Sequence, residues 1–221
     1  MSIPRDGEGA IRAREICIPP SGLPGTLTIP DMAHGLVLFA HGSGSSRLSP
    51  RNRQVAEALN RRRMATLLFD LLVTGEEGDR RNVFNIDLLS RRLMDAMEWA
   101  MARPELGGWP IGLFGASTGA AAALVAAAEF GDRVSAVVSR GGRPDLAGPR
   151  LAAVTAPTLL IVGGQDHAVL DLNRQAQARL RCENSLAVVP GATHLFEEAG
   201  TLQAAAELAR DWFKGHLAGG L

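Results

Sequence analysis

The chain has no tyrosine, so no phenol is available as an acid, a base or an oxyanion donor. Lysine is almost missing too: Lys214 is the only one, and arginine supplies the other cations. Basic and acidic residues balance at 23 each, which leaves none of the basic excess that a general nucleic-acid binder carries on one face. The single basic run, Arg61-Arg62-Arg63, falls at the end of an expected helix, where cations meet the negative end of the helix dipole. Cysteine is limited to Cys17 and Cys182 with no CxxC spacing, which reads as two free, buried or half-buried thiols in a reducing compartment. No run of about 18 apolar residues occurs, and residues 1–7 lack an apolar signal core. The expectation is a cytoplasmic chain with neither a membrane nor a nucleic acid as partner. The most apolar stretch, 120–128, is mostly alanine and reads as a buried helix.

Hydrophobic residues make up 46% and charged residues 21% of the chain, an ordinary globular balance that excludes disorder or collagen-like structure as whole-chain readings. A length of 221 residues suits one domain with a substantial core, so residues 1–221 are expected to form a single domain. The first part alternates through residues 11–18, breaks at Pro19-Pro20-Ser21-Gly22, and resumes at Leu27-Thr28-Ile29. Two runs joined by proline and glycine predict an antiparallel hairpin or edge pair.

The pattern then changes. Leu36–Ala40 is continuously apolar, as in a strand buried on both faces, and similar runs follow at Ala65–Phe69, 111–114, 134–138, 158–162 and 186–189. Helical spacing fills the gaps at about 50–62, 85–102, 118–129, 170–180 and 196–216. Alternation of this kind predicts an α/β fold: a mostly parallel sheet of about seven or eight strands, with helices on both faces.

The strongest local signal is Gly115-Ala116-Ser117-Thr118-Gly119, which follows an apolar strand and opens the alanine-rich helix. That context is what the G-x-S-x-G nucleophile elbow requires: a sharp strained turn, flanking positions with no room for side chains, and a helix N-terminus aimed at the reaction centre. Two companions strengthen it. Gly163-Gly164-Gln165-Asp166 and Gly191-Ala192-Thr193-His194 each follow a strand, giving the chain order Ser, Asp, His at the carboxyl edge where sites form in open α/β sheets.

The roles follow from chemistry. A serine hydroxyl needs a base to take its proton, so Ser117 is the candidate nucleophile and His194 the base. Asp166 is the candidate acid that orients the imidazole; Asp145, after the preceding strand, is the competing choice. His41-Gly42-Ser43-Gly44 occupies the loop expected to supply one oxyanion amide, from Ser43 or else Gly44, with Thr118 supplying the other. Arg140 and Arg143, near the same edge, are candidates for binding a carboxylate or phosphate of the substrate. His41 is expected to brace its own loop. His167 adjoins Asp166, but no second cluster with ligand spacing exists, so neither a metal nor a cofactor is implied. The first βα turn carries Arg47 where a G-x-G-x-x-G motif needs its third glycine, which argues against nucleotide binding.

These residues, from His41-Gly42 through Gly115–Gly119 and Asp166 to His194, resemble the α/β-hydrolase superfamily. More narrowly, they look like its small, lidless branch related to dienelactone hydrolases. That family uses a cysteine nucleophile where this chain has Ser117. The resemblance therefore implies a general serine esterase acting on a small-molecule ester or lactone through an acyl-enzyme, with thioesterase, peptidase or acyltransferase activity on the same triad, or a non-catalytic binding protein on the same fold, as the alternatives. The segment after the strand near Val138 is short, so no large cap is expected.

Overall fold

The computed structural model describes residues 11–217; the reading of residues 1–7 lies outside them. Eight strands form one sheet: β1 (Ile11–Ile18), β2 (Leu23–Pro30), β3 (Leu36–Ala40), β4 (Ala65–Phe69), β5 (Ile111–Ala116), β6 (Ala136–Arg140), β7 (Thr158–Gly163) and β8 (Asn184–Val189). Their spatial order is β1-β2-β4-β3-β5-β6-β7-β8. The expected hairpin is present: β1 pairs antiparallel with β2, and β2 antiparallel with β4. From β4 to β8 every pairing is parallel.

Among the described residues six helices flank the sheet: α1 (Pro50–Asn60), the one-turn α2 (Arg80–Val83), α3 (Ile86–Met101), α4 (Thr118–Phe130), α5 (His167–Gln177) and α6 (Thr201–Leu217). The strands of the parallel region alternate between two cores, which is why they read as unbroken apolar runs. Leu38, Leu67, Leu113, Val137 and Leu160 face α3 and α4. Val37, Phe39, Phe114, Val138 and Ile161 face α1 and α6. α4 is buried on nearly all sides, in keeping with its small uniform residues. No helix among the described residues is long and apolar enough to cross a membrane.

Several boundaries differ from the sequence pattern. α5 starts at His167 instead of about 170, and α6 starts at Thr201 instead of about 196, so residues 190–200 are a loop. The β6–β7 connection folds as 3₁₀ turns over Pro144–Ala153, broken at Gly148 and packed on α4 rather than raised as a cap. Cys17 is exposed, because β1 is an edge strand whose only buried side chain is Ile18; Cys182 is half-buried.

The topology fixes where a ligand can sit. The chain runs from β3 outward to β4, then returns to the other side of β3 as β5. The loops leaving β3 and β5 therefore diverge, and ligands in open α/β sheets bind at that switch point. The register aligns Ala40 with Gly115, so His41-Gly42 and Ser117 leave the sheet side by side.

Backbone contact makes this approach possible. A Cβ on Gly119 would lie 2.1 Å from the Ala40 carbonyl oxygen, and one on Gly115 would lie 2.4 Å from Ala120 Cα. Overpacking costs about 1–3 kcal/mol, and each kcal/mol moves the thermal midpoint of a chain this size by about 2–4 °C. Because fixed backbone blocks the new methyl, Gly119→Ala is expected to lower the midpoint by several degrees in calorimetry; an unchanged midpoint would show that α4 can shift freely.

Candidate active site

Five loops meet at the carboxyl edge: 41–49 after β3, the turn at Ser117 after β5, 141–143 after β6, and those after β7 and β8 with Asp166 and His194. Ser117 sits at the tip of the strand–turn–helix with φ 52° and ψ −122°. A positive φ strains any side-chain-bearing residue by about 1–3 kcal/mol, so the surroundings must enforce it. They do so on both sides: Ser117 N donates to the Arg140 carbonyl (3.4 Å), and Arg143 N donates to the Ser117 carbonyl (3.0 Å). Ser117 Oγ holds no hydrogen bond among the described residues, which leaves it available to a reactant.

Asp166 occupies the N-cap of α5, where an aspartate ordinarily accepts from the first-turn amides. Here its side chain makes no capping bond. Its Oδ2 accepts instead from His194 Nδ1 at 2.7 Å, with the carboxylate largely buried. A carboxylate only accepts, so the proton is on Nδ1 and Nε2 is the free nitrogen. The loop carrying His194 is held by Glu198, which accepts from Thr193 N (3.0 Å) and Thr193 Oγ1 (2.6 Å). The 141–143 loop connects this side to the elbow: Gly141, at φ 51°, lies so close to His194 that a Cβ there would be 3.1 Å from its carbonyl oxygen. Asp145, the competing acid, is taken up by Arg143 in a two-pronged pair at 2.9 and 2.8 Å.

The loop after β3 is anchored by His41. Leu71 N donates to His41 Nε2 (3.1 Å), so Nδ1 carries the proton and donates to the Gly42 carbonyl (3.0 Å). Arg47 ties the far end of the loop to Asp70 through its amide (2.6 Å) and Nη1 (2.9 Å). The Ser43 amide, expected to be open to an oxyanion, instead donates to Thr118 Oγ1 at 3.1 Å. The Thr118 amide, at the first turn of α4, has no acceptor among the described residues. A cleft of about 810 Å³ opens from Ser43 and Thr118 toward Arg51, Leu71, Val83 and Phe84. That volume lies within the range of small-molecule sites.

The two candidate anion-binding arginines have other geometries. Arg143 is engaged by Asp145. Arg140 is sealed, only 7% exposed, between the rings of Phe114 and Phe196, each centroid 5.9 Å from its guanidinium carbon. Nη2 donates to Asn52 Oδ1 (3.3 Å), while Nε and Nη1 are buried without partners. No carboxylate offsets it. Burial, with repulsion from Arg51 second, pushes its pKa down to about 10. Sequence reasoning ranked Arg140 by its edge position; nothing in the pattern signals that its side chain turns under the His194 loop. It also missed Asn52 and Glu198, since helix ends and acidic loop residues are usually solvated. Among the described residues no group of three or more His, Cys, Asp or Glu could hold a metal.

Comparison with known proteins agrees with this architecture. The sequence model of the family described as alpha/beta hydrolase fold matches residues 35–201. The structure of a dienelactone hydrolase from Anabaena variabilis superposes with a TM-score of 0.91 at 50% identity, over 96% of this chain and 100% of that one. Est1E from Butyrivibrio proteoclasticus superposes at 0.76 with 16% identity, over 92% and 99% of the two chains, a likeness of fold. Two curated Mycobacterium tuberculosis proteins, provisionally named phosphoribosyl transferases, are 60% identical over 200 residues. The match is 90% of this chain and 45% of theirs, so the chain spans a little under half of those relatives.

Two measurements test the electrostatics. Burial is the main cause that lowers the His41 pKa, against smaller opposition from the Gly42 carbonyl, Asp70 and Glu77. On acidification below about 6.5 the unfolded chain takes up this proton first, so the stability from neutral His41 is complete above that pH and is lost as pH falls toward the lower folded value. The urea midpoint is expected to be lower at pH 5 than at pH 7.5, with a shallower dependence in His41→Asn. For Arg140, an uncompensated buried cation opposes folding, and replacing buried charge by a packed apolar side chain often stabilises by about 1–4 kcal/mol. Arg140→Met is therefore expected to raise the thermal midpoint; a fall would mean that the Asn52 bond and the ring contacts outweigh the desolvation.

Proposed function

The chain belongs to the α/β-hydrolase fold family, in its dienelactone-hydrolase-like form, and on that premise we propose that it is a serine hydrolase cleaving carboxylic esters through an acyl-enzyme. The observation that carries the reading is the His194–Asp166 contact: Asp166 sits where it would cap a helix, and its carboxylate turns to the imidazole instead. In the proposed triad Ser117, at the strained elbow, is the nucleophile.

In this reading Ser117 Oγ attacks the ester carbonyl while His194 Nε2 takes its proton. The carbonyl electron pair moves onto oxygen, and the tetrahedral anion faces the N-terminus of α4. The imidazolium, steadied by Asp166, returns the proton to the leaving alkoxide as the carbon–oxygen bond breaks. Water then repeats the sequence on the acyl-enzyme and regenerates Ser117. The cleft beside Thr118, with Leu71, Val83 and Phe84 in its wall, suits a small ester or lactone with an apolar part.

Phosphoribosyl transfer, the activity in the name of the mycobacterial relatives, is the second reading. Its support is the 60% identity. Those proteins are more than twice as long as the matched stretch, and in this chain that stretch carries the elbow at Ser117. The transferase name is therefore not carried over to this chain.

The test is hydrolysis of p-nitrophenyl esters of graded acyl length. Wild type is expected to turn over short esters, and Ser117→Ala to lose about 10⁴–10⁶ in kcat. A wild-type chain that neither hydrolyses these esters nor is labelled at Ser117 by a fluorophosphonate would sink the proposal.

A further inference from the structure

The Ser43 amide and Thr118 present a conflict that the expected oxyanion site does not resolve. A backbone amide has one hydrogen, and that of Ser43 is directed at Thr118 Oγ1, 3.1 Å away. For Ser43 to serve the oxyanion directly, this bond would have to break. Yet the loop is anchored in place by His41 against Gly42 and Leu71 and by Arg47 against Asp70. Thr118 is 3% exposed and borders the cleft together with Ser43.

A hydroxyl has one proton to donate and two lone pairs to accept with. Thr118 Oγ1 uses one lone pair on Ser43 N–H, and its own proton has no acceptor among the described residues. We propose that the Thr118 hydroxyl is itself an oxyanion donor, so that Thr118 contributes two donors, its amide and its Oγ–H, and Ser43 acts one step back by polarising that hydroxyl. Accepting a hydrogen bond makes a hydroxyl a stronger donor, because polarisation adds along the chain from Ser43 N–H through Thr118 Oγ–H to the anion. Amide and Oγ of one residue are close neighbours, so both can reach the same oxygen beside Ser117. No bond in the resting site has to break; the hydroxyl hydrogen only rotates as charge develops on the carbonyl oxygen. Thr118 is then a catalytic residue in its own right, and the sequence position after the nucleophile matters for its side chain as well as for its amide. The inference rests on the serine-hydrolase reading of Ser117.

The experiment compares wild type, Thr118→Val and Thr118→Ser on p-nitrophenyl acetate, with inhibition by phenylboronic acid as a probe of the tetrahedral anion. Valine keeps the shape and removes the donor. Loss of one such donor is worth about 10²–10³ in kcat. Thr118→Val is expected to fall by that factor in kcat with KM nearly unchanged and to bind the boronic acid correspondingly more weakly. Thr118→Ser is expected to stay within about tenfold of wild type, since it keeps the hydroxyl. Thermal unfolding establishes that each variant folds, and Thr118→Ala carries the same comparison should the valine variant not fold. A variant without the hydroxyl that matches or exceeds wild-type kcat overturns the proposal, because the freed Ser43 amide would then be the better donor. The two readings fail separately: wild type inactive and unlabelled by fluorophosphonate removes the serine-hydrolase reading, whereas an active wild type with an equally active valine variant removes only the role of Thr118.

Discussion

At Gly119 the backbone of α4 rests directly on the backbone at the end of β3, and the geometry of the site depends on that contact. With no room for even one methyl, the helix N-terminus is pressed against the switch point of the sheet. The turn joining β5 to α4 must then be completed in a single residue, which is why Ser117 takes a positive φ. The same closeness aligns the His41-Gly42 loop with the elbow and leaves Thr118 within hydrogen-bond reach of Ser43. A bulkier contact would relax the turn, lower the strain and draw these donors apart. Strain, helix dipole and donor placement are one constraint seen from three atoms.

Around this contact the site gathers features that oppose folding: a strained Ser117 and a guanidinium at Arg140 with two orphaned donors. Each costs on the order of 1–3 kcal/mol, a sizeable share of the net stability of any domain. The rest of the chain offsets them with two apolar cores, one on each face of the sheet. Rigid packing does more than compensate. Phe114 and Phe196 hold Arg140 beneath the His194 loop, and α4 cannot move without disturbing its buried alanine faces. An active site that is locally unstable has to be held by surroundings that are not.

The sequence was most informative where a physical demand leaves few residue choices. Strands buried on both faces must be continuously apolar, so β3 to β7 were readable as runs. The elbow needs glycine on both sides of Ser117, and the contacts at Gly115 and Gly119 give the reason. Asp166 and His194 stand at strand ends in the expected order, and the 2.7 Å contact brings them together. What periodicity could not convey was side-chain direction and competition for donors. Arg140 sits at the edge of the sheet in sequence, but its guanidinium turns inward between two rings. Ser43 has the right loop position, but its amide is taken by a hydroxyl 75 residues away in the chain. The start of α6 was blurred because Phe196 is apolar and continues a helical spacing, although its φ of 56° places it in a turn.

The distribution of charge bears on the proposed chemistry more than any single contact does. Acylation creates an anion on the carbonyl oxygen and a cation on His194 at the same moment, and the site must favour both without neutralising either in advance. Asp166 stands on the imidazole side, 15% exposed, and among the described residues no arginine or lysine pairs with it. The first-turn amide of α4 is free beside the elbow, while Arg140, whose carbonyl accepts from Ser117 N, carries an uncompensated guanidinium beneath the His194 loop. Had Arg140 lain against Asp166, the two would have formed a stable ion pair and stripped the imidazole of its partner. Phe196, two residues after His194, lays its ring 5.9 Å from the Arg140 guanidinium carbon. An aromatic ring is apolar and cannot screen by pairing, so it keeps the cation buried and apart. The buried guanidinium thus adds positive charge beneath the site without competing with His194 for Asp166.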